Sequence, residues 1–451
     1  MKALIEKYNT PVPRYTSYPT VPNWKPDTFH KESYLERLTN GFSQANADGI
    51  SVYVHLPFCE SLCTYCGCNT RITVNHKVEV PYAEAVVKEW ALMKTHFTHT
   101  PRIREIHLGG GTPTFFSPAN LKMLVEGILE GADILADASF SFEAHPNNTT
   151  QEHLDVLRSL GFDRLSLGIQ DFDPKVQKAI NRKQTVEDVD RVMSGAKKAG
   201  YRSVNFDLVY GLPFQTVEGV QDAVEKVIEL KPDRIAFYSY AHVPWMHPGQ
   251  RAYSEADLPS PELKLAIFTM GRQMLLDAGY EAIGFDHFAL KTDSLYKAYA
   301  NGTMHRNFMG FSDLRTDYLI GLGVSSISDI RNGFAQNIKA VEPYIEKVNN
   351  GILPIFKGHL HTQADSFIRG QILNLTCKHH TSWKDGTPEQ KEYMRSCLPR
   401  LEECADDGLA VIGDDAVRVT EKGQVFVRHI CAAFDADMQQ AEVKQRYAQG
   451  V

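Results

Sequence analysis

Long apolar runs are missing from this chain. None approaches the roughly 18 residues that mark a membrane-spanning helix, so no membrane partner is expected. Excess positive charge is missing too: 48 Lys and Arg stand against 55 Asp and Glu, a net charge of −7. That balance argues against nucleic acid as a partner, since phosphate binding needs a basic face. The opening Met1-Lys2-Ala3-Leu4-Ile5-Glu6 lacks the apolar stretch of a secretory signal, and a cytoplasmic location is expected. Cysteine is sparse over most of the chain. Cys377, Cys397, Cys404 and Cys431 are scattered near the C-terminus and read as buried thiols, because cytosolic proteins seldom keep disulfides. No internal repeat or low-complexity tract is present. What remains is an ordinary globular composition, 43% hydrophobic and 23% charged. At this length the chain can build a core around a deep pocket. A monomer is expected.

Organisation changes twice. Residues 1–48 are proline-rich (Pro11, Pro13, Pro19, Pro22, Pro26) and read as an irregular extension, either a coil lying on the main domain or a lid over its site. From residue 49 to 350 a strand–helix rhythm takes over. Strand-like runs fall at 50–55, 103–108, 138–143, 163–169, 202–208 and 233–239. Between them, Leu121, Leu124, Val125 and Ile128 follow helical spacing, Thr185 and Thr216 cap apolar-faced helices, and Ser260-Pro261 opens another. Six such units imply a parallel sheet with right-handed crossovers. The expected class is therefore α/β, a partial (β/α)6 TIM-like barrel, with a doubly wound open sheet as the alternative. Residues 351–451 read as helix, helix, hairpin, helix, a mostly helical, winged-helix-like domain without a concentrated basic face.

The other four cysteines crowd into ten residues after the first strand: His55-Leu56-Pro57-Phe58-Cys59-Glu60-Ser61-Leu62-Cys63-Thr64-Tyr65-Cys66-Gly67-Cys68. Thiolates are soft ligands that favour zinc, copper(I) and iron–sulfur clusters. Cys59, Cys63 and Cys66, spaced C-x3-C-x2-C, can hold three corners of a cubane and leave the fourth iron open. Zinc held by all four thiols is the alternative, although such sites usually use two well-separated pairs. Polar and glycine features recur at the later strand ends, where β/α barrels keep their chemistry. These are Gly109-Gly110-Gly111-Thr112-Pro113, Glu143-Ala144-His145, Gln170-Asp171 with Asn181-Arg182, Asp207, and Tyr240-Ala241-His242.

C-x3-C-x2-C after the first strand of a β/α array resembles the radical S-adenosylmethionine superfamily. That resemblance implies a 4Fe-4S cluster on Cys59, Cys63 and Cys66. The open iron would bind S-adenosylmethionine, which gives a 5′-deoxyadenosyl radical after one-electron reduction. A narrower resemblance follows from Pro13-Arg14-Tyr15-Thr16-Ser17-Tyr18-Pro19-Thr20, Cys66-Gly67-Cys68, Leu167-Gly168-Ile169-Gln170-Asp171-Phe172, Asp207-Leu208-Val209-Tyr210-Gly211-Leu212-Pro213, Asp286-His287-Phe288-Ala289 and His305-Arg306-Asn307-Phe308. Together these are similar to the oxygen-independent coproporphyrinogen III oxidase family over nearly the whole chain.

The family resemblance implies coproporphyrinogen III as substrate, two of its propionates becoming vinyl groups for haem synthesis. It implies two S-adenosylmethionine molecules, one meeting Tyr53, Gly110, Glu143, Ala241 and Ile327. The second would meet Tyr65, Gly111, Thr112, Gln170, Arg182 and Asp207. Cys68 would be a non-ligand close to the reaction and Tyr65 a neighbour of the reacting centre. A low-potential electron donor and a terminal electron acceptor are required. Arg14, Arg182, His305 and Arg306 are candidates for holding propionates. Two departures from the family pattern stand out: Met309 and Phe311 replace a glutamine and a tyrosine, and Tyr65 replaces a phenylalanine. A haem chaperone or haem-modifying relative within the superfamily is the alternative, although chaperones of that kind lack the Arg14–Pro19 segment and a cysteine at position 68.

Overall fold

The computed structural model describes residues 2–439 and Tyr447. The six expected strands form, and we label them β1 (Ile50–Leu56), β2 (Arg102–Gly110), β3 (Asp133–Ala144), β4 (Phe162–Gln170), β5 (Ser203–Tyr210) and β6 (Arg234–Ser239). They pair in parallel and in sequential order. A doubly wound sheet reverses its strand order at a switch point. No reversal occurs among these six, so the sheet is wound in one direction, as a barrel is.

The barrel stays partial because other strands extend the sheet at both edges. Leu319–Leu322 pairs in parallel with β1, then Ile327–Ile330, Gly333–Asn337 and Ile355–Leu360 follow in antiparallel order. At the far edge His287–Ala289 pairs antiparallel with β6 and Glu281–Ile283 follows. Among the described residues the sheet thus has twelve strands.

The crossover helices form where sequence spacing places them. Pro118–Leu129 buries Leu121, Leu124, Val125 and Ile128 and is capped by Ser117. Val186–Ala199 begins with a capping box between Thr185 and Asp188 and ends on Gly200 at φ 83°, a left-handed conformation that glycine adopts without strain. Thr216 caps Val217–Leu230, and Ser260 caps Pro261–Asp277.

The first 48 residues are less irregular than their prolines suggest. Lys2–Tyr8 and Lys31–Ala47 are helices. In the second, Tyr34, Leu38, Phe42 and Ala45 fall on one face and are buried. The prolines lie only between the two helices, where they break helix locally. This N-terminal stretch does not simply drape over the barrel. Leu4, Ile5, Tyr8, Tyr15 and Tyr18 enter one core with Ile372, Trp383, Leu401, Phe426 and Ile430 of the C-terminal region. The Tyr15 hydroxyl donates to Asp435 at 3.0 Å.

That C-terminal region holds helices Gln363–Lys378, Pro388–Cys397, Pro399–Asp406 and Val427–Ala432. The expected hairpin forms as Ala410–Ile412 with Ala416–Val419, and His380–Ser382 adds a third strand. Residues 440–446 and 448–451, the end of the region read as helical, lie outside the described residues. The four scattered cysteines are free and buried.

Candidate functional site: a three-thiol cavity at the strand ends

The cysteine loop leaves β1 and is held at its base by a short parallel ladder, Phe58 opposite Arg71 and Cys59 opposite Ile72. Further along, the Thr64 N–H donates to the Ile180 carbonyl at 3.0 Å and the Asn181 amide donates to the Leu62 carbonyl at 2.8 Å. Buried Gln250 donates to the Tyr65 and Ala241 carbonyls. The loop is thereby fastened to segments that follow β4 and β6, so its thiols face the barrel mouth.

One cavity of about 810 Å³ opens there. Cys59, Cys63, Cys66, Cys68, Tyr65, Gly110, Gly111, Thr112, Glu143, Gln170, Arg182, Asp207 and Ala241 all line it. Tyr53 and Ile327 do not. Tyr53 sits behind the wall, its hydroxyl 3.1 Å from His55 Nδ1 and its ring stacked on His107. Ile327 lies on an added strand, its carbonyl packed against Gly321. His145, Asn181 and Tyr240, residues of the strand-end motifs, are also in the lining. Gln250 and His247 line it as well, and nothing in their local sequence marks them: both come from a loop brought in by β6.

The thiols are electrostatically unequal. Cys66 is held down to about 7, chiefly by the hydrogen bond from Cys68, whose backbone N–H also donates to Cys66 Sγ at 3.4 Å. Burial pushes Cys59 up to about 11, against the Thr112 hydroxyl 3.4 Å away. Arg182 places Nη1 3.6 Å from Cys63 Sγ, donates Nη2 to the Gly168 carbonyl at 2.5 Å, and uses Nε on Gln184. A guanidinium fixed beside thiols favours the thiolates that a metal cluster needs. Three half-buried thiols lining one cavity are the soft donors that a 4Fe-4S cluster takes, so the donor set fits one.

Around the thiols, the walls are polar and fixed. Gly110 has φ +112°, and a side chain there would meet the His55 ring at 2.6 Å, so glycine brings the backbone close to the cavity. The Gly110 N–H donates to Glu143 Oε2 at 3.2 Å, and His107 Nε2 lies 3.4 Å from Oε1. Burial disfavours the Glu143 carboxylate, but His107 and that N–H outweigh it and hold the group below the usual carboxylate range. Asp207 differs: burial and the charge of Glu143 push it up to about 6 despite hydrogen bonds from Ser166 and Asn205. Gln170 adopts φ 67°, and its buried Oε1 has no partner among the described residues. A buried acceptor with no partner among the described residues, on a cavity wall, could meet a ligand there.

A parallel β/α partial barrel with three thiols at its mouth is the architecture of a radical S-adenosylmethionine enzyme, and residues 53–227 match the Radical SAM superfamily. The oxygen-independent coproporphyrinogen III oxidase of Pseudomonas aeruginosa is 38% identical over 443 residues, covering 96% of this chain and 95% of the relative. The Escherichia coli enzyme of that name is 36% identical, covering 99% and 97%. The solved coproporphyrinogen III oxidase from Escherichia coli, described as a radical SAM enzyme, superposes with a TM-score of 0.87 at 35% identity over 97% of this chain and 98% of that one. The chain belongs to the oxygen-independent coproporphyrinogen III oxidase family. Its cofactors are accordingly a 4Fe-4S cluster and S-adenosylmethionine. Among the described residues no helix is long and apolar enough to cross a membrane.

Proposed function

We propose that the protein converts coproporphyrinogen III to protoporphyrinogen IX without oxygen, turning two propionate side chains into vinyl groups. One observation carries the reading: the C-x3-C-x2-C thiols share a single cavity with the glycine stretch, Glu143, Arg182 and Asp207. That cavity lies in a chain more than one-third identical to coproporphyrinogen III oxidases over nearly its full length.

Cys59, Cys63 and Cys66 would hold the cluster. Bound there, the cluster and S-adenosylmethionine would supply radical chemistry able to remove a β-hydrogen from the propionate. Loss of carbon dioxide and one electron then leaves the vinyl group, and an electron acceptor takes up that electron. A separate low-potential electron donor would be needed for each turnover. Arg182 keeps positive charge beside the Cys63 thiolate. Ionised Glu143 is set to accept hydrogen bonds from an ammonium group, and Gly110 and Ala241 let backbone approach on either side. Cys68 and Tyr65, at the end of the loop, line the cavity beside the reacting centre. Tyr53 and Ile327 would act through the residues they support.

We assign room for two S-adenosylmethionine molecules. The cavity is near the upper end of the roughly 300–1,000 Å³ typical of ligand pockets, and Thr112, Gln170 and Asp207 offer polar contacts beyond the set nearest the thiols.

The test is anaerobic turnover of coproporphyrinogen III by protein reconstituted with iron and sulfide, with S-adenosylmethionine and a reductant. Two carbon dioxide molecules per macrocycle and a divinyl product are expected. Stable haem binding with no carbon dioxide would replace this reading with that of a chaperone.

A further inference from the structure

A second cavity, of about 330 Å³, adjoins the first, and Arg14, Glu143, Ser166, Asp207 and Tyr238 line both. Its charged side chains are bonded one by one. Arg164 donates to Asp313 at 2.5 Å and lies 3.6 Å from Glu105, which also accepts from the Ser51 hydroxyl. Arg234 donates to Asp293 at 2.6 Å. Glu143 has His107, Asp207 has Ser166 and Asn205, and Asp286 has His287 Nδ1 at 2.6 Å. Arg14 is exposed and donates to the Ser239 carbonyl at 2.8 Å.

Arg306 differs from all of these. It is 4% exposed, yet among the described residues it makes one hydrogen bond, from Nη2 to the Arg14 carbonyl at 3.4 Å, and no ion pair. Its Nε is buried without a partner. The guanidinium carbon lies 4.8 Å from the Phe285 ring centroid and 4.4 Å from that of Phe311. Such rings attract the charge without taking up a conventional N–H bond. Asp286 favours the charged form, but burial outweighs it and pushes the guanidinium below its usual range. A buried cation with an idle donor is costly unless an acceptor reaches it. The walls beside it are apolar, because Phe308, Met309 and Phe311 enter the cavity from its own hairpin, His305–Asn307 with Gly310–Ser312. An acceptor that suits this place is an acid carried on an apolar arm. A propionate on a pyrrole ring has that form.

We infer that Arg306 is a carboxylate-binding residue of the second cavity, holding one propionate of the macrocycle while another reacts at the thiols. The inference rests on the proposed reaction for the identity of the acid, a macrocyclic polycarboxylate. The carboxylate accepts from Nε together with a terminal N–H, a pairing that the forked guanidinium provides and an ammonium does not. The volume lies in the roughly 300–1,000 Å³ range of small-molecule pockets, enough for an arm of the macrocycle beside the shared wall.

Titration of the reconstituted enzyme under anaerobic conditions, with S-adenosylmethionine present, tests this. The probes are coproporphyrin III, the fluorescent oxidised macrocycle, and its tetramethyl ester. Arg306→Met is expected to bind the tetra-acid more weakly by roughly tenfold or more, with the ester's affinity unchanged. Because the guanidinium has no ion pair in the ligand-free protein, Arg306→Met should melt no lower than the wild type. Unaltered tetra-acid affinity in this variant would overturn the subsite. A variant that fails to fold, melts lower, or loses acid and ester binding alike would overturn it too, since the guanidinium would then hold the fold and not the acid. Carbon dioxide release from coproporphyrinogen III is read separately. Acid binding that depends on Arg306, in a wild type that releases no carbon dioxide, would sink the reaction and leave the subsite standing. Carbon dioxide release by the wild type, with unaltered acid affinity in Arg306→Met, would do the reverse.

Discussion

At the scale of single residues, the four thiols of the cysteine loop differ in exposure. Cys59, Cys63 and Cys66 are half-buried along the cavity, whereas Cys68 is exposed and donates its N–H to Cys66. Cys63→Ser is therefore expected to abolish both the brown colour of the reconstituted protein and S-adenosylmethionine cleavage, read by absorbance, iron content and 5′-deoxyadenosine. Cys68→Ser should keep its iron but lose activity, and iron loss in that variant would make Cys68 a ligand. Asp207 supplies a pH prediction. Its carboxyl is pushed up to about 6, so it is charged above that pH and neutral below it. If the charged form accepts hydrogen bonds from cofactor hydroxyls, kcat/KM for S-adenosylmethionine falls as pH drops through 6. Asp207→Asn should remove that limb and lower kcat/KM roughly tenfold throughout, about the worth of one charged hydrogen bond.

At the scale of elements, one buried carboxylate joins the outer strands to the helix behind them. Glu89, on the helix Glu79–Lys94, accepts from the Gly323 N–H at 2.8 Å, Asn337 Nδ2 at 2.6 Å and the Tyr344 hydroxyl at 2.5 Å. Burial outweighs these donors and pushes it up to about 7. A raised carboxyl binds its proton more tightly folded than unfolded. Its stabilising contribution is thus full below about 4.3 and is lost as pH rises to about 7. Glu89→Gln should flatten that part of the curve of urea midpoint against pH. It should also cost about 1–3 kcal/mol, because an amide cannot accept at both positions.

Element legibility followed local signals. Strands and capped helices of the barrel were readable because alternation, Thr and Ser caps and glycine stops are written within ten to fifteen residues. The helix Lys31–Ala47 escaped because prolines upstream set the reading for the whole stretch, although Tyr34, Leu38 and Phe42 carry its buried face. The added edge strands, several of only three or four residues, are too short to show a period.

At the scale of the whole molecule, the N-terminal segment closes the C-terminal region's core and delivers Arg14 to both cavities. Ile5 is 3% exposed in that core. Ile5→Ala is expected to cost about 2–5 kcal/mol, read as a lower Tm and as faster proteolysis within residues 363–435 than within the barrel.

The order of the barrel strands and most of the cavity's lining residues, the loop cysteines included, could be named from sequence, because each is a short pattern or sits at the end of a recognisable strand. The meeting of Arg14, Lys264 and Arg428 around one small cavity could not. They are separated by more than 150 residues at each step, and nothing around any of them marks a shared pocket. Long-range packing alone sets which charges meet. The fold decides it by burying Tyr15 and Tyr18 among the C-terminal helices, which carries the adjoining Arg14 to the end of β6.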